Sequence, residues 1–283
     1  MRSLHKKFIF FFFQRNMRLM KLGFFGCGNM GESFLRGIIQ KELCTPEDIL
    51  VCDKTEERLV VLKEKYSILT TLDSKDLENC DILFLGFKPQ NLVDIQFSSR
   101  KGMIVISMLA GKQVSAIGEK FLNTKIVRIM PNIGQFVEQG MTGLFFGLAD
   151  FSSEEKTTIR SLLASGGTVL DLETEQQIDW IGAISGSGPA YFFRFAEALQ
   201  SSAEQLGFAP DQAEMLVRQT LIGSAYLLQN NPDDSCSLWR ERVTSPKGTT
   251  EQALRIFNEQ DIDTLVKTAI DAAMKRTQEL GKD

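Results

Sequence analysis

Apolar residues along this chain follow two regimes. Up to about residue 177 they fall in short, nearly unbroken runs separated by polar segments. Residues 19–25, 49–52, 82–87, 104–108 and 125–129 each read as a strand. Near-continuous apolarity of this kind suits parallel strands buried on both faces. Residues 141–146 and 168–172 read as further strands of the same sheet. After the first strand, Phe34, Leu35, Ile38 and Ile39 recur at helical spacing.

From about residue 178 the period becomes helical. Gly186-Ser187-Gly188-Pro189-Ala190 introduces a long helix, with Pro189 near its first turn, where proline fits. Tyr191, Phe195, Ala198, Leu199, Ser202 and Leu206 form its mostly apolar stripe, and Gly207 can end it. Further helices are predicted over residues 210–228, 250–257 and 262–280. Ile262, Leu265, Ala269 and Ala273 share one face of the last. A small helical unit with this much apolar surface calls for a partner, so an oligomer is expected.

The junction after the first strand carries chemistry. Gly26-Cys27-Gly28-Asn29-Met30-Gly31 is a GxGxxG turn between a strand and a helix, the required context for a dinucleotide fingerprint. Gly26 makes the tight turn, Gly28 admits the pyrophosphate and Gly31 allows close helix–strand packing. Asp53 ends the second strand 53 − 31 = 22 residues after the last glycine, near the distance at which an acid meets the adenosine ribose. An acid there favours NADH, whereas the neighbouring Lys54 could attract the extra phosphate of NADPH, so both cofactors stay open. The later strands run into Lys88-Pro89-Gln90, Ala110-Gly111 and Met130-Pro131-Asn132. Ligands of an open α/β sheet bind outside the carboxyl ends of its strands, so these loops are candidate walls of one crevice.

These readings give an α/β chain: an N-terminal Rossmann-like doubly wound sheet over residues 21–177, then an all-α domain over 178–283. Residues 1–20 are set aside. His5-Lys6-Lys7 and the apolar Phe8 to Phe13 resemble the start of a signal peptide, but the run is short and no small-residue cleavage site follows. It is also too short to span a bilayer. An over-extended start is favoured, with Met17 or Met20 as initiators; a disordered or partner-bound tail is the alternative.

Composition bounds the function. The 283 residues are 43% apolar and 24% charged, with net charge −4, which disfavours nucleic acid or an anionic membrane as the main partner. Five scattered cysteines without a CxxC pair argue against a disulfide framework or a metal site, and for a reducing cytoplasm.

A second candidate site is Val243-Thr244-Ser245-Pro246-Lys247-Gly248-Thr249-Thr250. Small hydroxyl residues and glycine precede a helix, whose first N–H groups and dipole suit a carboxylate. A proline-containing turn with a threonine N-cap is the plainer alternative. Hydride transfer to a ketone needs a proton donor. The only histidine is His5, in the discounted extension, and Tyr66 and Tyr226 have no suggestive surroundings. A protonated imine accepts hydride directly and needs mainly orientation and anion binding, which this hydroxyl-rich segment offers.

Taken together, Phe25–Gly31, Lys88-Pro89-Gln90, Arg128-Ile129-Met130-Pro131-Asn132, Ser185–Tyr191 and Val243–Thr250 resemble pyrroline-5-carboxylate reductase, from about Lys21 to the C-terminus. The resemblance implies NADPH- or NADH-dependent reduction of 1-pyrroline-5-carboxylate to L-proline, the final step of proline biosynthesis. It implies a helical dimerisation domain, homodimers often assembled into decamers, and a substrate site where the helices of one subunit meet the cofactor of another. It assigns Ser245, Gly248 and Thr249 to the substrate carboxylate and Thr250 to orienting the imine. It surrounds the cofactor with Gly26, Cys27, Gly28, Asn29, Met30, Gly31, Lys88, Ala110 and Asn132. Departures from the family pattern are Lys247 for a usual glycine, Ile133-Gly134 for Thr-Pro, Asp53-Lys54, and Met108-Leu109 before Ala110. A related reductase of another cyclic imine or a hydroxy acid, and an inactive NAD(P)-binding regulatory protein, are the alternatives.

Overall fold

A computed structural model describes residues 20–282. The expected extension, apart from Met20, lies outside the described residues. Of the described residues, 20–187 with 274–282 form one compact unit, and Gly188–Ala273 the other. The chain passes from one unit to the other between Ser187 and Gly188.

The first unit is built on eight strands: β1 (Leu22–Phe25), β2 (Ile49–Cys52), β3 (Leu69–Thr71), β4 (Ile82–Leu85), β5 (Ile104–Ser107), β6 (Lys125–Pro131), β7 (Gly140–Phe146) and β8 (Gly167–Asp171). Their spatial order is β3-β2-β1-β4-β5-β6-β7-β8. The strands from β3 to β6 in that order are parallel. β7 is antiparallel to β6, and β8 runs parallel to β7. Leu22 of β1 stands opposite Ile49 on one side and Ile82 on the other.

Successive side chains of a strand point to opposite faces, so an unbroken apolar run feeds two cores. Phe24, Phe84, Ile106 and Val127 meet on one face, where Phe24 stacks on Phe84 with centroids 4.8 Å apart. Helices α1 (Asn29–Gln40) and α4 (Ser153–Leu163) cover it with Phe34, Leu35, Ile38, Ile159 and Leu162. Leu83, Leu85, Val105 and Ile126 line the other face with Ile117 of helix α3 (Val114–Lys120) and Phe121. Each such fully buried side chain contributes about 1.5–3 kcal/mol.

Several expected boundaries shift. The strand expected over 19–25 starts at Leu22, with Leu19 outside the described residues. The run expected over 82–87 stops at Leu85, and the Gly86 N–H still donates to the Phe25 carbonyl of the neighbouring strand. Residues 104–108 end at Ser107, and the strand expected over 125–129 runs on to Pro131. Helix α2 (Glu56–Tyr66) and β3 escaped the pattern. The helix buries only Leu59 and Leu62 while Val60 and Val61 stay exposed, and the strand is a three-residue edge. Helix α4, likewise absent from the expectation, starts at a capping box, Ser152…Glu155, in which each residue's side chain accepts the other's N–H. Short α5 (Gln176–Ile181) closes this part of the chain.

The second unit is helical: α6 (Gly188–Gln205), α7 (Pro210–Asn230), α8 (Cys236–Arg242), α9 (Thr249–Glu259) and α10 (Ile262–Lys282), whose end belongs to the first unit. Gly207 ends the first helical hairpin arm in a left-handed conformation, φ 102°. Helix α9 exceeds the expected 250–257 at both ends. Few side chains are buried in this unit, Ala213 and Val217 among them, while Phe192 and Leu265 are 65% and 67% exposed in the single chain.

Candidate functional site

The order of the sheet reverses between β1 and β4, which leave a crevice at their carboxyl ends. The glycine turn sits on one side of that point. Gly26 has φ 79°, and a Cβ on it would lie 2.7 Å from the Phe87 nitrogen, so only glycine fits. Gly28 caps α1 in an extended conformation and gives it no side-chain bond. A Cβ on Gly28 would meet nothing within 4 Å. The first intrahelical bond runs from Glu32 N–H to the Gly28 carbonyl, so Asn29, Met30 and Gly31 present N–H groups without an intrahelical acceptor. An open approach over Gly28, facing free N–H donors at a helix start, fits a pyrophosphate. The close packing expected at Gly31 falls instead at Gly37. A Cβ on Gly31 would stand an ordinary 3.4 Å from Cys27 Sγ, whereas one on Gly37 would come within 2.9 Å of the Ser165 carbonyl.

Asp53 is brought to this turn. One carboxylate oxygen accepts the Cys27 N–H at 3.0 Å and the other accepts the Thr55 N–H at 3.2 Å. Lys54 beside it is exposed and makes no ion pair among the described contacts. Cys27 is fully buried, and burial pushes its thiol up to about 12, so its contribution here is the peptide group rather than the sulfur.

Two residues that the pattern did not single out brace the turn. Arg58 of α2 donates Nε–H to the Cys27 carbonyl at 3.0 Å and Nη2–H to Glu32 at 2.5 Å. Glu32 also accepts from Lys65 and from the Tyr66 hydroxyl, both at 2.8 Å. Tyr66 therefore does have a specific setting, contrary to expectation. Burial pushes the Glu32 carboxyl up, but the hydrogen bonds from Lys65, Tyr66 and Arg58 outweigh it and bring the group to about 2. No spacing rule marks Arg58, since its partner is 26 residues away.

The other expected walls lie at the ends of the neighbouring strands. Lys88 is exposed after β4 and caps the 3-10 turn Pro89–Asp94. Gly86, two residues earlier, packs on the glycine loop so closely that a Cβ would collide with the Gly26 carbonyl oxygen. Ala110 is half-buried after β5. Asn132 follows β6, and its amide is committed within the protein: Oδ1 accepts from Gly134 and Met141 N–H, and Nδ2 donates to the Ser185 carbonyl and hydroxyl. Deeper in the sheet the buried Arg128 pairs with Glu175 at 2.8 Å, and Glu175 also accepts the Val114 N–H at 2.7 Å, tying the start of α3 to β6.

The second candidate segment lies in the helical unit. Gly248 N–H donates to the Ser245 carbonyl at 3.0 Å, with Pro246 second and Lys247 third in the turn. Lys247 has φ 60°, the left-handed region that this turn position imposes. Gly248, not a threonine, is the N-cap of α9, and a Cβ on it would collide with Ser245 Oγ. The first intrahelical bond of α9 is Gln252 N–H to the Gly248 carbonyl. Thr249, Thr250 and Glu251 thus present N–H groups without an intrahelical acceptor, next to the Ser245, Thr249 and Thr250 hydroxyls. Glu251 reaches back to accept the Lys247 N–H at 2.7 Å, which holds the turn against the helix. The first group of residues is thus assembled in one unit and the second in the other.

Comparison with known proteins agrees with both halves. Residues 175–280 match the family model described as pyrroline-5-carboxylate reductase dimerisation, and residues 21–111 match that of NADP oxidoreductase, coenzyme F420-dependent. The chain is 34% identical to pyrroline-5-carboxylate reductase of Vibrio alginolyticus, with 94% of this chain and 99% of the relative covered. It is 32% identical to pyrroline-5-carboxylate reductase 2 of Bacillus subtilis, covering 93% and 95%. Among solved structures, a pyrroline-5-carboxylate reductase from Coxiella burnetii is 35% identical with a TM-score of 0.85, covering 93% of this chain and 99% of that one. A Plasmodium falciparum pyrroline carboxylate reductase with NADP bound is 26% identical with a TM-score of 0.78, covering 94% and 99%. A glycine turn at the sheet's switch point, a hydroxyl-lined helix start and relatives matched over nearly their whole length converge: this chain belongs to the pyrroline-5-carboxylate reductase family.

Proposed function

We propose that this protein reduces 1-pyrroline-5-carboxylate to L-proline at the expense of NADPH or NADH. The observation that carries the reading is the pair of open helix starts. One is a glycine turn shaped for a dinucleotide pyrophosphate; the other is a hydroxyl-lined turn suited to a small carboxylate. Gly26, Cys27 and Gly28 shape the turn around the pyrophosphate, and Asn29, Met30 and Gly31 offer it the free N–H groups at the start of α1. Lys88, Ala110 and Asn132 border the cofactor, Asn132 by fixing the chain after β6 through its four hydrogen bonds. Bound NAD(P)H supplies the hydride. Ser245, Gly248 and Thr249 bind the substrate carboxylate, and the Thr250 hydroxyl orients the ring nitrogen.

Hydride adds to the carbon of the protonated C=N bond, its π electrons become the nitrogen lone pair, and a neutral secondary amine results. The proton already resides on the substrate nitrogen, so no histidine is required. We also assign the helical unit to a homodimer, which can assemble further into a decamer. We place the protein in the cytoplasm, where its five free cysteines stay reduced. No helix of the described residues is long and apolar enough to cross a membrane.

The direct test mixes purified protein with pyrroline-5-carboxylate and follows loss of NADPH or NADH absorbance. Turnover with either supports the reading; a folded protein that binds cofactor without turnover overturns it. Thr250→Ala is expected to lower kcat about tenfold or more while cofactor affinity stays near wild type.

A further inference from the structure

We propose that the adenosine end of the cofactor site selects NADH over NADPH, with Asp53 and Glu32 as its specificity-determining residues. This rests on the reading of the glycine turn as the dinucleotide site.

The two cofactors differ by one phosphate on the adenosine ribose. A carboxylate at the end of the second strand accepts from the ribose hydroxyl of NADH and repels the phosphate of NADPH. Asp53 stands there, and it cannot swing aside. Its two oxygens are held by the N–H groups of Cys27 and Thr55, at 3.0 and 3.2 Å. Each oxygen keeps a second lone pair for a hydroxyl. The charge is therefore fixed where the phosphate would arrive.

A site that takes the phosphate needs a free cation, preferably a guanidinium. The arginine beside this turn is Arg58, and it is already committed. It bridges the Cys27 carbonyl and Glu32. Lys65 is drawn to the same carboxylate, and the Tyr66 hydroxyl donates to it as well. Glu32 thus holds Arg58 and Lys65 of α2. Lys54, beside Asp53, makes no ion pair among the described residues, and it is an exposed lysine adjacent to the opposing charge. It carries neither the fork geometry nor the support that a phosphate site requires.

Fluorescence titration of the full-length protein with NADH and NADPH, at one ionic strength, reads this without turnover. NADH is expected to bind at least about tenfold tighter. Asp53→Asn keeps an acceptor for the turn and removes the charge, so the preference should fall to within about threefold. Glu32→Gln loosens Arg58 and Lys65 and should raise NADPH affinity selectively. Tighter binding of NADPH by the wild type overturns the proposal. Selective loss of NADPH in Lys54→Ala would then assign the pocket to Lys54. Equal weakening of both cofactors in Asp53→Asn reduces Asp53 to a brace of the turn and overturns its discriminating role. Binding of neither cofactor by folded protein defeats the dinucleotide reading itself.

Discussion

Gly26 and Gly28, two positions apart in the glycine turn, obey different physics. Gly26 is required by the fold, since its φ of 79° and the 2.7 Å approach of the Phe87 nitrogen leave no room for a Cβ. Gly28 has an ordinary φ of −71° and open space above it, so the fold alone would accept alanine. Gly26→Ala is therefore expected to cost about 2 kcal/mol or more in stability. Gly28→Ala should change stability by no more than about 0.5 kcal/mol yet weaken NAD(P)H binding about tenfold, or 1.4 kcal/mol. Chemical denaturation beside cofactor titration checks both, and a Gly28→Ala protein that binds normally would remove the pyrophosphate from this position. Glu32 adds a pH dependence. Its carboxyl is held at about 2 against an ordinary 4.5, so its contribution is complete above about 4.5 and is lost as pH falls toward 2. The acid limb of a stability–pH curve should flatten in Glu32→Gln, while the neutral plateau drops.

At the scale of the element, the turn before α9 is held under strain. Its geometry asks for glycine in third place, and the chain places Lys247 there at φ 60°. Lys247→Gly is expected to raise the unfolding free energy by about 1 kcal/mol, read as a shift of the denaturation midpoint. An unchanged midpoint would mean that the Lys247 N–H bond to Glu251 already absorbs the strain. Elements also differ in how visibly the sequence announces them. β1, β4 and β5 are short apolar runs that feed two cores, so residue pattern and burial coincide. Helix α2 was hidden because its consecutive valines break the helical period, and β3 because an exposed three-residue edge needs no apolar run.

The whole molecule leaves apolar side chains in water unless a second copy covers them. Phe192 and Leu265 are more than half exposed in the single chain, as are Tyr226 and Val266. Such a surface on one unit marks an interface. Light scattering is expected to give at least twice the 31.8 kDa of one chain. Leu265→Arg or Phe192→Arg should shift the mass toward one chain, and if neither does, the interface lies elsewhere on these helices.

By itself the sequence determined what depends on neighbours along the chain. The strand–glycine turn–helix junction, the change from strand runs to helical period near residue 178, and the hydroxyl-rich turn before α9 are all local patterns set by backbone freedom and spacing. Sequence distance also placed Asp53 as a candidate. Tertiary structure alone decided the long-range pairings: Arg58 with Glu32 and Cys27, Asn132 with Ser185, Arg128 with Glu175, and Gly86 against Gly26. It also decided that β7 turns antiparallel to β6. Such contacts depend on which elements the sheet order brings side by side, and no periodicity along a single chain encodes that order.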